Sequence, residues 1–441
     1  MIASLADSNP IGVNQVLSPH MGVFFIAFAV AFVTTPLMRL LAVRNGIVDW
    51  PDLRRKTHIE PVAYLGGVAI FLGWAAGVVL CFLKSPDQLS STAIWMSYVR
   101  FPISVVLGAI AIVITGIFDD VYGVSPRIKI GGQLLAAGFL AHETVGGQLL
   151  GARLVSDSFE VIGISISYWP AYILGTIIIA AFVLGSCNSV NLLDGLDGLA
   201  AGVSVIAVAG FLFLSVYAAM HLSSAVPGLQ GSDPLAAPVR VVMCLAILGA
   251  LLGFLPYNFN PANIFMGDAG SLLVGYLCAT TILMFANIAD RGPLFVLSAL
   301  IIFAVPITDT MLAILRRKLR GLPISRPDDN HLHHQIYNAF KNLKLGPGMS
   351  VKLAVFTICV ISATFAALGC SMVFVRGTRY VLAVFVVIFS FVAVVAYKVG
   401  HRAAVLDKLQ AAEHVAGAAP DVPGQEQEVD SITEQSDATP I

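Results

Sequence analysis

Asn188-Ser-Val-Asn-Leu-Leu-Asp-Gly-Leu-Asp-Gly198 separates two long apolar runs, 169–185 and 199–219. Asn188, Asn191, Asp194 and Asp197 recur at every third position, a spacing that keeps neighbouring members on one side of a helix. Gly195 and Gly198 carry no side chain, so a ligand or a second backbone can approach closely there. An ordinary Asn/Asp/Gly turn uses the same residue types, so the setting has to decide. Here that setting is the junction between two membrane helices, which makes the stretch a polar platform at a bilayer surface.

The bilayer follows from composition. The 441 residues are 57% hydrophobic and 12% charged, with mean hydropathy +0.86, whereas soluble proteins carry about 25% charged residues. A span needs about 20 mainly apolar residues. Runs at 21–43, 63–83, 103–118, 131–141, 169–185, 199–219, 239–255, 272–289, 293–315, 351–375 and 379–399 meet or approach that length. The predicted fold is therefore an all-α polytopic membrane protein with about eleven transmembrane helices. Residues 1–20 lack a basic segment, so the run at 21–43 reads as a retained first helix and not a signal peptide. Beyond Lys408 no Lys or Arg occurs, and 401–441 reads as a disordered acidic tail. The membrane domain is thus 21–400. Cys81, Cys187, Cys244, Cys278, Cys359 and Cys370 have no paired spacing and read as small packing residues.

Charge placement orients the chain. Alternate connections hold Arg44, Arg54, Arg55, Lys56, Arg127, Lys129, Arg316, Arg317, Lys318, Arg320, Arg326, Lys341 and Lys344. The opposite set holds only Lys84, Arg100, Arg153, Arg240, Arg291, Arg376 and Arg379. By the positive-inside rule the first set is cytoplasmic, which puts the N-terminus outside and the C-terminus inside. The outer connection 142–168, with alternating Val161–Ser167, has the pattern of a small hairpin.

Five polar clusters fall on the predicted cytoplasmic side. One is the opening stretch. A basic loop, Asp49–His58, includes Lys56 and His58 and suits an anionic lipid headgroup. Asp119-Asp120 ends the third helix, with Lys129 opening the next; two carboxylates at a negative helix end require a counter-charge. In Asn258–Ser271, Asp268 sits between small residues ahead of a helix whose positive end favours an anion, and Phe265 offers a stacking surface. Arg326–His334 carries His331, His333 and His334 without a cysteine nearby, which favours phosphate contacts over zinc. Carboxylates and asparagine oxygens suit Mg²⁺ or Mn²⁺. A metal with cations around a diphosphate is the equipment of phosphoryl transfer.

Taken in order, Arg55-Lys-Thr-His58 with Gly66-Gly67, Asp119-Asp120, Asn188–Gly198, Phe265-Met-Gly-Asp-Ala-Gly-Ser271 and His331-Leu-His-His334 resemble the polyprenyl-phosphate N-acetylhexosamine-1-phosphate transferases. The likeness runs over roughly 20–400 and is greatest to the branch that initiates O-antigen, enterobacterial common antigen and teichoic acid synthesis. It implies transfer of a sugar-1-phosphate, GlcNAc-1-phosphate first among the options, from a UDP-sugar to undecaprenyl phosphate. UMP is released, with Mg²⁺ (or Mn²⁺) as cofactor, at the bacterial cytoplasmic (inner) membrane. Carried over by position, Asn191 and Asp268 look like metal ligands. Asp119 and Asp120 look like the pair that holds or deprotonates the lipid phosphate, and Lys129 like a phosphate-binding lysine. Phe265, Asn188 and Asp194 or Asp197 would line the nucleotide pocket. Lys56, His58, Arg326, His331, His333 and His334 would contact the substrates. The expected partners are the UDP-sugar, the lipid acceptor and the membrane, with a homodimer left open and no nucleic acid.

Two positions depart from the family pattern. Pro327-Asp-Asp-Asn-His331 stands where the family has Pro-Asp-Arg-x-His, and Ala269 replaces a threonine. The first change keeps other donors, such as N-acetylfucosamine or N-acetylquinovosamine nucleotides, in view beside phospho-MurNAc-pentapeptide. A secondary transporter is the rival of a different class, but it would hold carboxylates near the bilayer midplane. Here they cluster at helix ends. A non-catalytic lipid-binding scaffold would have no use for five such clusters.

Overall fold

In the computed structural model, the described residues are 12–50, 61–83, 101–145, 148–149, 152, 155–156, 165–222, 236–286, 288, 291–319, 321, 331–344, 346–375, 377–390, 394 and 398. The helices are α1 (Val13–Leu17), α2 (Met21–Arg44), α3 (Gly66–Leu83), α4 (Ile103–Tyr122), α5 (Pro126–Ala141), α6 (Tyr168–Leu193), α7 (Leu199–Leu222), α8 (Ala236–Asn258), α9 (Gly267–Phe285), α10 (Gly292–Ile302), α11 (Ala304–Leu319), α12 (Leu332–Lys341), α13 (Pro347–Ser371) and α14 (Thr378–Ser390). Each apolar run named above carries a helix. Among the described residues seven helices are long and apolar enough to cross a membrane, and the α10–α11 pair makes an eighth if counted as one span. Helix α5, with 16 residues, rises only about 24 Å, short of the roughly 30 Å hydrocarbon core.

The run at 293–315, expected as one helix, bends by 71° between α10 and α11. Pro306 has no N–H for the Ile302 carbonyl and crowds it, so the first helix stops at Ile302. The connection 142–168 forms a hairpin from β3 (Thr144–Val145) and β4 (Gln148–Leu149), ahead of the expected position; Val161–Ile164 lie outside the described residues. All six cysteines are free.

Helix α9 is the hub, packing on α3, α4, α6, α7, α8 and α10. Apart from Asp268 and Met284 it is buried along its length, which fits a helix that is apolar all round. Close crossings need small residues, because helices in lipid gain little from apolar burial against each other. A Cβ on Gly67 would stand 2.0 Å from the Gly270 nitrogen, one on Gly116 2.3 Å from the Ala269 Cα, and one on Gly275 2.5 Å from the Cys187 Cα. Helices α3, α4 and α6 therefore press against α9 backbone to backbone. The N-terminus of α9 is tied down further. β1 (Val48–Asp49) pairs with β2 (Val62–Ala63), the Phe265 N–H donates to the Ala63 carbonyl at 2.8 Å, and the Gly66 and Gly67 N–H groups donate back to Phe265 and Met266 carbonyls.

Candidate active site

The C-terminal end of α4 meets the starts of α5 and α9. Gly123, at φ +64°, ends α4 in the left-handed conformation, and the Val124 N–H turns back to Asp119 Oδ1 at 2.9 Å. Ser125-Pro126 then opens α5 with proline in its first turn. That turn carries Lys129, whose Nζ lies 2.5 Å from Asp119 Oδ2 and also pairs with Asp268 Oδ2. Each of the three side chains is at most 25% exposed. On Asp268 the other oxygen accepts from Asn191 Nδ2 at 2.6 Å, and the same amide reaches Ser271 Oγ at 2.9 Å.

Asp120 faces a different partner. Its two oxygens accept the N–H groups of Asp268, at 2.7 Å, and Ala269, at 3.1 Å. It thus caps the first turn of α9 from another helix, where the helix's positive end favours a carboxylate. Gly267, at φ +68°, makes this fit, since a Cβ there would come 2.7 Å from an Asp120 oxygen. The repulsion expected of adjacent aspartates is resolved by division: Asp119 takes a lysine and Asp120 a helix terminus.

The Asn188–Gly198 stretch finishes α6 and turns into α7, as its spacing suggested. Asn188 Nδ2 donates to Gln133 Oε1 at 3.1 Å and to the Leu184 carbonyl. Asp197 Oδ2 accepts from Asn260 Nδ2 at 2.9 Å and the Ala262 N–H at 3.0 Å, which ties the α6–α7 turn to the loop before α9. Asp194 is half-buried. Burial first, then the charges of Asp268, Asp120 and Asp197, push its carboxyl up to about 8. Phe265 lies with its ring centroid 6.2 Å from that of Tyr64.

The histidine element opens α12. His331 and His333 stack nearly parallel at 5.5 Å, and His334 lies 4.3 Å beyond His333. His333 is 1% exposed, neither ring nitrogen has a hydrogen-bond partner among the described residues, and its Nε2 sits over Gly195 so closely that a Cβ there would approach to 2.3 Å. Burial and the neighbouring His334 hold this ring neutral, with its pKa pushed down to about 3. Thus α12 rests on the carboxylate turn through His333. Lys56, His58 and Arg326 lie outside the described residues, as do 1–11 and the tail 401–441.

The structure therefore gathers Asp119, Asp120, Lys129, Asn191 and Asp268 into one connected cluster, with Asn188, Asp194 and Asp197 on the adjoining turn. Two participants escaped the sequence reading. Gln133 is wholly buried beneath Asn188, and Asp309, on α11, contacts His331. A lone aspartate inside the run 293–315 was the available signal for the second.

Among the described residues no three His, Cys, Asp or Glu side chains form a ready-made metal cage. The donor chemistry nevertheless suits a hard divalent cation. Asp268 and Asn191 put oxygen-bearing side chains side by side. Asp268, Asp119, Asp120 and Asp194 influence one another electrostatically with Lys129 as the cation in their midst. Such a site holds more negative than positive charge.

Residues 102–286 match the glycosyl transferase family 4 model. The chain is 33% identical over 344 residues to a probable undecaprenyl-phosphate N-acetylglucosaminyl 1-phosphate transferase of Bacillus subtilis (strain 168), covering 78% of this chain and 82% of that protein. It is 31% identical over 335 residues to the decaprenyl-phosphate N-acetylglucosaminephosphotransferase of Mycolicibacterium smegmatis, covering 70% and 73%. It is also 31% identical over 331 residues to the phospho-N-acetylmuramoyl-pentapeptide-transferase of Pelagibacter ubique, covering 71% and 84%.

Proposed function

The chain belongs to the polyprenyl-phosphate hexosamine-1-phosphate transferase family, and from that membership we propose that it moves N-acetylglucosamine-1-phosphate from UDP-GlcNAc to undecaprenyl phosphate. It is a multi-pass membrane transferase; we place it in the bacterial cytoplasmic membrane with the site facing the cytoplasm, in keeping with the Lys/Arg-rich connections on that side. One observation carries the reading. Lys129, Asn191, Asp119 and Asp268, from four helices, converge at one end of the bundle, where a lipid headgroup and a soluble nucleotide sugar can both arrive.

In this scheme a phosphate oxygen of the lipid attacks the sugar-bearing phosphorus in line. The new P–O bond joins lipid phosphate to sugar phosphate as the bridging P–O bond to UMP breaks, and UMP leaves as an anion. Lipid phosphate is largely ionised near neutral pH, its second pKa being about 6, so positioning and charge control outweigh deprotonation. Lys129 supplies the fixed positive charge for a phosphate. Asp119 holds that lysine in place, and Asp120 fixes the first turn of α9 and thereby Asp268. The Asn188–Asp197 turn and Phe265 form the nucleotide side, and the histidines of α12 face the sugar diphosphate. Mg²⁺, held by Asp268 and Asn191, would supply neutralisation of the diphosphate charge.

The test is release of UMP by the purified chain in vesicles containing undecaprenyl phosphate and Mg²⁺, with UDP-GlcNAc, a UDP-deoxyhexosamine and UDP-MurNAc-pentapeptide offered separately. UMP and lipid product from UDP-GlcNAc are expected. Turnover of another donor alone keeps the reaction and moves the sugar; the likeness to the Pelagibacter protein makes the pentapeptide arm necessary. No turnover of any donor by folded protein refutes the proposal.

A further inference from the structure

Asp309 takes no part in the scheme above, yet it is a carboxylate at 0% exposure in the second turn of α11. Burying a charged group is costly unless its hydrogen-bonding capacity is used. Both of its oxygens reach the start of α12. Oδ1 accepts the Leu332 N–H at 2.9 Å, and Oδ2 stands 3.0 Å from His331 Nδ1. The first contact caps a helix, a task that asparagine or serine performs as well. The second needs more than a cap. An ionised carboxylate only accepts, so it requires a proton on Nδ1 and thereby fixes the tautomer and the plane of the ring.

The consequence lies at the opposite nitrogen. His331 Nε2 has no hydrogen-bond partner among the described residues, and it is absent from the buried, unpartnered atoms that include both nitrogens of His333. The parallel stack then passes the ring's orientation to His333, which bears on Gly195. Asp309, His331, His333 and the carboxylate turn form a continuous row from α11 to the end of α6.

We propose that Asp309 is a positioning residue for sugar-1-phosphate transfer: it holds His331 by Nδ1–H and balances the charge of the imidazolium, whose Nε2–H is then presented to an anionic phosphate oxygen of the donor. The identity of that anion rests on the transferase reading; the Asp309–His331 pairing does not. The ring takes up or releases no atom in the net reaction. Its part is a hydrogen bond from Nε2–H to the diphosphate, made by an imidazolium that lies between two anions, Asp309 and the phosphate.

The experiment uses the full chain, ¹⁵N-labelled at histidine and solubilised in detergent, with Asp309→Asn and His331→Gln variants. In the wild type the ¹⁵N shifts should place a proton on His331 Nδ1, and on both ring nitrogens once UDP-GlcNAc and Mg²⁺ are added. In Asp309→Asn the amide oxygen can still cap α12 while the NH₂ faces the ring, so Nδ1 becomes an acceptor and the doubly protonated ring should not form with the donor present. We expect UMP formation in that variant to fall about 10²-fold, the scale of losing one charge-stabilising donor, in kcat and with KM for the lipid acceptor unchanged. Added to His331→Gln, Asp309→Asn should cost nothing further. Wild-type protein with a bare Nδ1 overturns the proposal even if the variant fails to fold. An Asp309→Asn enzyme of wild-type kcat overturns it too, and leaves Asp309 a helix cap. Wild-type protein that turns over no donor refutes the transferase reading instead, and the ¹⁵N shifts still decide the pairing.

Discussion

Gly195→Ala tests how the histidine element bears on the carboxylate turn. A Cβ at this position would stand 2.3 Å from His333 Nε2, against the roughly 3.4 Å of ordinary contact, so something must retreat by about 1 Å. Gly195 is outside the left-handed region, so alanine brings no backbone strain of its own. His333 has little room, being 1% exposed, stacked on His331 and in tilted contact with His334. Its displacement should shift the start of α12. Overpacking of this size costs about 1–3 kcal/mol in stability, whereas a 1 Å error in positioning can cost about 10²-fold in rate. The variant should therefore lose far more activity than thermal stability. UMP release and thermal unfolding would be measured on Gly195→Ala, His333→Ala and the double variant. In the His333→Ala background, Gly195→Ala should be nearly silent, because the atom it collides with is gone. An equal penalty in both backgrounds would refute the reasoning and locate the damage in the turn itself.

Three further outcomes follow from the site. Lys129→Met leaves Asp119 and Asp268 facing each other without their cation; removing one member of a buried pair costs about 3–5 kcal/mol, and the partial exposure here puts the loss near 3, readable by thermal unfolding, with UMP release down at least about 10²-fold. Asp120→Asn keeps one acceptor for two N–H groups at the start of α9, so it should destabilise by about 2 kcal/mol, and equal stability in a melt would remove the capping role. The third concerns pH. His333 stays neutral when folded, its pKa pushed from 6.5 down to about 3, so unfolding takes up a proton between those values. The stability it contributes is complete above pH 6.5 and declines as pH falls towards 3, by up to about 1.4 kcal/mol per unit; His333→Phe should flatten that slope in melts across this range.

Elements were more legible than the contacts between them. Every apolar run became a helix because span length and composition are local properties, and the polar interruptions became the helix ends that build the site. The 71° bend at Ile302 was also within reach, since Pro306 marks it. The pairing of charges was not. Asp119-Asp120 announced a need for counter-charge, but nothing local says that one aspartate meets Lys129 and the other the amides of α9, 148 positions away. Such contacts depend on which helices cross, and the crossings depend on where Gly67, Gly116 and Gly275 allow backbones to touch.

That dependence explains why Asp309 escaped notice while Asp268 did not. Asp268 sits in a polar stretch, where a carboxylate can be recognised by its company. Asp309 sits in apolar sequence, and its company arrives only when α12 folds back from 22 residues further on. Hydrogen-bonded carboxylates are tolerated in such surroundings because each oxygen finds a donor; Asp309 and Asp120 both meet that condition with two partners. Asp268 is held by side chains alone, so it can exchange Lys129 and Asn191 for a substrate or a cation. Asp120, held by two backbone N–H groups, cannot do so without unwinding the start of α9. The division between scaffold and chemistry in this site therefore follows the type of donor: Asp120 lies on the scaffold side and Asp268 on the reactive side, while Asp119 and Asp309 each pair one oxygen with a backbone N–H and the other with a side chain.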